Sequence, residues 1–153
     1  MIVDVLLKES SQKTIIDLGA GTGTVIFALA DQLYKKHGQT TLVAVEIHPL
    51  LYFFMQLKRL LHPYKKHIHL LRDDMFSTSF WQLTIKKYRN ITVYLYIGTK
   101  HMNKLKTHLA ALPVSARIVS YMYAFDNWQK HLSEKKQGKI HNLYIYSPHA
   151  PKP

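Results

Sequence analysis

Cysteine is absent from the 153 residues. Disulfides and thiolate metal sites are therefore excluded, and a reducing compartment is permitted. On that ground the chain is expected to be cytoplasmic. No apolar run is long enough to cross a bilayer, so no transmembrane segment is expected. Met1 to Leu7 has no basic region ahead of its short apolar run, and no signal peptide is expected either. Acids are scarce: nine Asp and Glu stand against 21 Lys and Arg, a formal charge of +12. Glycines number only six. The positions of these few acids and glycines carry most of the information.

Three of the glycines fall together in IIDLGAGTGT, Ile15 to Thr24. Ile15, Ile16 and Leu18 form an apolar strand, and Gly19, Gly21 and Gly23 let the backbone turn sharply and approach a bound molecule. Around this stretch the chain reads as alternating strands and helices. A short helix, Ile2 to Lys8, and a polar connector through Ser10, Ser11 and Gln12 lead to strand one, Thr14 to Leu18. A helix from about Thr24 to Lys36 carries Val25, Ala28, Leu29 and Leu33 on one face at helical spacing. Strand two is Thr41 to Val45. Pro49 opens the next helix, whose core stripe is Leu50, Phe53, Phe54, Leu57, Leu60 and Leu61, and Pro63 ends it.

Strand three is His67 to Leu71, and a short helical or irregular segment covers Ser77 to Lys87. Strand four is Ile91 to Ile97, Gly98 to His101 form a loop, and a helix spans Asn103 to Leu112. Strand five is Ala116 to Tyr121. Trp128 to Ser133 and Leu143 to Tyr146 read as two closing strands around a polar turn, Lys135 to Gly138. The expected fold is α/β: a Rossmann-like three-layer α/β/α sandwich in one domain over residues 1–153. Its sheet is mostly parallel, with an antiparallel C-terminal edge hairpin.

Asp17, Glu46, Asp73 and Asp74 sit at or just after the ends of the first three strands. Ligands of open α/β sheets bind at the carboxyl ends of the strands. A glycine turn feeding a helix N-terminus favours an anionic group. An acid after strand two can accept both ribose hydroxyls, and one after strand three can accept from an adenine amine. Dinucleotide-binding turns share part of this pattern, but theirs is usually G-x-G-x-x-G, and Asp17 would sit badly beside a pyrophosphate. Asp17 suits the ammonium of a methionine moiety, so S-adenosyl-L-methionine fits better than NAD. The ten histidines show no metal spacing, and no metal is expected.

IIDLGAGTGT resembles motif I of the class I, seven-β-strand S-adenosylmethionine-dependent methyltransferases, and VAVEIHP resembles the segment that follows it. VEIHPLL, HLLRDDMF, VYLYIGTKHMNKL, ARIVSYMYAFDNW and NLYIYS occur in the order of a smaller subgroup. That subgroup holds archaeal protein-lysine methyltransferases and the mitochondrial enzymes acting on the ATP synthase c subunit and the adenine nucleotide carrier. The resemblance spans roughly residues 14–146. It implies that Asp17, Gly19, Ala20, Gly21, Thr22 and Gly23 hold the methionine end of the cofactor. Glu46, with Ile47, would meet the ribose, and Asp74 with Met75 the adenine. Tyr96 to Thr99, at the end of strand four, would line the reaction centre, and S-adenosyl-L-homocysteine would be the product. The subgroup commonly has an acid, an Arg and an Asn where this chain has Thr22, Thr24 and His48.

The resemblance favours a protein-lysine acceptor. Tyr94, Tyr96, Tyr121, Tyr123 and Trp128 are candidates to line a lysine channel, against a role in core packing. Asp126 reads as a surface turn acid. RNA is the alternative acceptor, suggested by the +12 charge. Against RNA, YIGTKHMN lacks the Asp or Asn followed by two prolines and an aromatic that amino-methylating nucleic-acid enzymes of this class carry. A catalytically inactive S-adenosylmethionine-binding module would keep the same fold. So basic a protein is easiest to reconcile with an acidic protein target or one at an anionic membrane surface.

Overall fold

In the computed structural model, residues 2–8, 14–36, 38–138 and 140–149 are described. Helices α1 (Ile2–Lys8), α2 (Thr24–Lys35), α3 (Pro49–Leu61), α4 (Thr78–Lys87) and α5 (Thr99–Ala110) alternate with β1 (Thr14–Leu18), β2 (Thr41–Val45), β3 (Ile68–Leu71), β4 (Ile91–Leu95) and β5 (Arg117–Tyr121). The closing strands are β6 (Leu132–Lys136) and β7 (Leu143–Tyr146). All seven strands form one sheet in the order β3-β2-β1-β4-β5-β7-β6. The first five pair in parallel, and β7 runs antiparallel to both of its neighbours. This is the expected sandwich, antiparallel edge included.

Side-chain alternation along the strands builds two cores. Ile16 and Leu18 of β1 face α4 and α5 through Phe80, Trp81, Met102, Leu105 and Leu109. Ile15 faces α1 and α2 through Leu6, Ile26, Leu29 and Leu33, and Met55 of α3 joins the same cluster. β1 and β4 are buried along their whole length, as parallel strands covered on both faces must be.

The register positions the functional end of the sheet. Leu18 lies opposite both Val45 and Leu95, and Val45 lies opposite Leu71. Four parallel strands therefore stop in one row. The residues that leave them, Gly19, Glu46, Arg72 and Tyr96, start from a common edge.

Several sequence expectations are corrected. The stripe Leu50, Phe53, Phe54, Leu57, Leu60 and Leu61 is exposed, and α3 buries Met55 instead. Helical spacing identifies an apolar face but not the surface it lies against. The buried residues of α2 are Ile26, Leu29, Ala30 and Leu33; Val25 and Ala28 are only half-buried. β4 stops at Leu95 rather than Ile97, because β1 ends beside it. Gly98 caps α5, which begins at Thr99, so most of the expected loop is helix. Trp128 precedes a 3-10 turn, Gln129–His131, and β6 starts only at Leu132 and takes in much of the expected polar turn. The connector through Ser10, Ser11 and Gln12 lies outside the described residues.

Tyr146 anchors the antiparallel edge. Its ring meets Phe125 edge-on at 5.1 Å, and its hydroxyl oxygen accepts from the Phe125 N–H at 3.1 Å. Tyr146→Phe strands that buried N–H and should lower the unfolding free energy by about 1–3 kcal/mol in a urea titration, without changing the slope.

Candidate functional site

The turn after β1 is built by backbone conformation. Gly19, Gly21 and Gly23 have φ of 73°, 59° and 77°, the left-handed region that side chains disfavour. At Gly23 the requirement is also steric, since a Cβ there would lie 2.7 Å from the Phe27 ring and 3.1 Å from Met55. A Cβ at Gly21 would meet nothing within 4 Å, so the turn opens on free space there. Gly19 and Ala20 donate to the Val45 carbonyl at 2.9 and 3.0 Å, which ties the turn to the end of β2.

Glu46 continues that tie. Its carboxylate is buried and accepts from the Gly21 N–H and the His48 N–H, both at 2.8 Å. Each carboxylate oxygen has a second lone pair, so capacity remains for hydroxyl donors from a ligand. Asp74 follows β3. Its Oδ1 accepts from the Phe76 N–H at 2.9 Å, while the Met75 carbonyl accepts from the Trp81 indole at 2.7 Å. Those bonds fix the loop, and among the described residues they leave the second Asp74 oxygen uncommitted. Gly19, Glu46, Ile47, Asp74, Met75 and Phe76 line a cleft of about 280 Å³, completed by Val45 and Asp73.

Asp17 lies beneath the turn, 4% exposed, and among the described residues no hydrogen bond reaches its carboxylate. Burial first, and the negative charge of Glu46 second, push it up to about 7. Tyr94, its register partner on β4, is buried as well, and its hydroxyl is raised by burial and then by Asp17. An isolated buried acid beside an open glycine turn is a site that a cation would complete. The donor set thus fits S-adenosylmethionine: a cation-seeking acid, a carboxylate with hydroxyl-binding capacity and a third acid on the rim.

A model of the ANTKMT methyltransferase domain matches residues 17–132, from Asp17 to the start of β6. The chain belongs to that family. It is an S-adenosylmethionine-dependent methyltransferase. Among curated proteins, no sequence match is found. Among solved structures, the methyltransferase is similar in fold to an RNA methyltransferase from Salinibacter ruber in complex with S-adenosyl-L-homocysteine. That pair has 19% identity and a TM-score of 0.74, covering 99% of this chain and 93% of the other. The rRNA methyltransferase aviRa from Streptomyces viridochromogenes is similar at 11% identity and TM-score 0.70, over 96% of this chain and 84% of that one. An O-methyltransferase family protein from Burkholderia thailandensis gives 12% identity and TM-score 0.71, over 99% and 56%. At such identities the likeness is one of fold.

The methyltransferase brings five of the expected residues, Gly19, Glu46, Ile47, Asp74 and Met75, into the cleft. Ala20, Gly21, Thr22 and Gly23 continue the turn beyond it, and Asp17 lies below. Tyr96 stands outside the cleft, 55% exposed, with its ring edge-on to Tyr121 at 5.3 Å. Tyr121 in turn meets His141 at 5.5 Å. Tyr94 and Trp128 are core residues, which removes them from a channel lining. Tyr123 packs against the opposite core from Tyr121. Between the two, Met122 has φ 73°, a strained conformation for a side-chain residue, and its N–H donates to Asn142 at 2.8 Å. Asp126 accepts from the Asn103 amide and serves to fasten the loop after β5 to α5.

Two contributors escaped the sequence reading. Phe76 was visible only as the residue after DDM, yet it walls the cleft. His48 acts through its backbone N–H, which no side-chain pattern reveals. Among the described residues no cluster of His, Asp or Glu is placed to hold a metal ion.

Asp17 ties stability to pH. Its folded pKa, about 7, exceeds the ordinary 3.8, so the folded state binds the extra proton between those values and loses stability as pH rises through them. The cost is complete above about 7 and reaches on the order of 4 kcal/mol at about 1.4 kcal/mol per pH unit. Asp17→Asn should therefore stabilise the ligand-free protein at pH 8 and have little effect at pH 4, as read by urea unfolding at both values.

Proposed function

We propose that this methyltransferase modifies lysine side chains of proteins, with the cofactor held from Asp17 to Asp74 and the acceptor entering beside Tyr96. The observation that carries the cofactor assignment is the flush row of strand ends, which sets Asp17, Glu46 and Asp74 around one cleft and one open turn. When bound, S-adenosylmethionine supplies a methyl group on a sulfonium, already activated for displacement by a nucleophile. The protein's part is to place and desolvate. Asp17, ionised, would hold the ammonium of the methionine moiety. The Gly19 to Gly23 turn and the α2 N-terminus would receive its carboxylate. Glu46 would accept from the ribose hydroxyls, and Asp74 from the adenine amine.

Alignment of nucleophile and donor in this way contributes roughly 7–11 kcal/mol. A lysine nucleophile must also be neutral. With an ordinary pKa of about 10.4, its deprotonation at pH 7 costs on the order of 4–5 kcal/mol. The Tyr96–Tyr121 pair supports a lysine acceptor, because two aromatic faces near the glycine turn would strip water from an ammonium and lower that cost. The +12 charge favours an acidic protein or one at an anionic membrane surface, and the absence of cysteine agrees with a cytoplasmic setting. The same charge supports RNA as the second reading.

Titration calorimetry with S-adenosylmethionine should show binding that Asp17→Ala and Glu46→Ala each weaken by roughly tenfold or more, given the loss of a charge-assisted contact. Wild-type affinity in both variants would refute the site. The acceptor is read from radiolabelled methyl transfer into cell lysate, with parallel digestions. Label removed by protease and retained after nuclease supports the protein acceptor; the reverse pattern establishes RNA.

A further inference from the structure

The outer face of α3 is apolar. Leu50, Phe53, Phe54, Leu57, Leu60 and Leu61 are between 45% and 89% exposed. At 100° per residue they fall in a single arc of about 120°. The helix is attached from its other side, where Met55 is fully buried, Tyr52 packs against the core and Arg59 Nε donates to the Ile68 carbonyl at 2.7 Å. Single exposed hydrophobics are ordinary on a protein surface; six in one continuous arc mark a surface that something covers.

Charge decides what covers it. No acid occurs between Glu46 and Asp73, while Lys58, Arg59, Lys65, Lys66 and Arg72 do. Lys58, exposed at the border of the arc, donates to the Thr22 carbonyl at 3.0 Å. Lys65 donates to the Leu60 carbonyl at 3.2 Å, which brings its ammonium to the end of α3, and Lys66 beside it is exposed. A second copy meeting this face would bring two such basic groups together on two molecules of formal charge +12. Like charges so placed repel. An anionic bilayer inverts the balance: the apolar arc enters the boundary between headgroups and acyl chains, and the lysines meet phosphates and carboxylates.

We propose that α3 is a docking helix that lays this protein on an anionic membrane surface. Phe53, Phe54 and Leu57 enter the acyl boundary, and Lys65 and Lys66 engage the headgroups. Glu46 and Ile47 directly precede α3, so docking sets the distance of the cofactor cleft from the bilayer and brings acceptors at the membrane surface within reach. The surface stands independently of whether the acceptor is lysine or RNA, since it concerns binding and not the transfer.

The test is co-sedimentation of the full chain with phosphatidylcholine vesicles, with and without phosphatidylserine, with size-exclusion chromatography in parallel. Binding should be stronger with phosphatidylserine by roughly tenfold or more, and Phe53→Ser/Phe54→Ser should abolish it, as should Lys65→Glu/Lys66→Glu. Unchanged S-adenosylmethionine affinity in the variants shows that they fold. Four results would overturn the proposal: no binding to either vesicle, equal binding to both, serine-variant binding equal to wild type, or a wild-type dimer that the serine variant converts to monomer.

Discussion

The cleft at the strand ends depends on the carboxylate of Glu46. Its two oxygens accept from the Gly21 and His48 N–H groups, so one side chain joins the glycine turn, the end of β2 and the start of α3. The same negative charge reaches Asp17 and adds to the burial that raises its pKa. Two acids close together in a buried site resist joint ionisation. An incoming ammonium would relieve that conflict, and it provides a physical reason for the turn to select a cationic amino acid over a pyrophosphate.

The flush ends of β1 to β4 turn this local arrangement into a site. Acids separated by many residues in the chain arrive at one edge because parallel pairing places Leu18, Val45, Leu71 and Leu95 in a common row. At the β4–β5 end of that edge, the exposed Tyr96 ring meets the partly buried Tyr121 edge-on. α3 packs on the same face of the sheet as α1 and α2, with its apolar stripe turned outward.

Much of this was legible in the residues. Three glycines in five positions announced the turn, and sparse acids at strand ends announced the cleft, because both depend on local backbone chemistry that few residue types satisfy. Less legible were the functions of backbone groups, such as the His48 N–H, and of residues whose role depends on which layer they enter. Tyr94 and Tyr96 are two positions apart on the same side of β4, yet one is buried next to Asp17 and the other is half-exposed beyond the end of the strand. Where β1 stops decides the difference, and that is not encoded near either tyrosine.

Periodicity, glycine spacing and the placement of the acids determined by themselves an α/β sandwich with a glycine turn after its first strand and acids at the ends of its first three strands. These are short-range properties: a 3.6-residue or two-residue repeat and a left-handed turn are written in adjacent residues. Tertiary structure alone decided which apolar stripe is core and which is surface. The stripes of α2 and α3 are alike as patterns, but the sheet and α1 cover the first, while α3 rests on Met55 and leaves its leucines and phenylalanines to solvent. Burial depends on what else occupies the neighbouring volume, and a one-dimensional pattern carries no record of that.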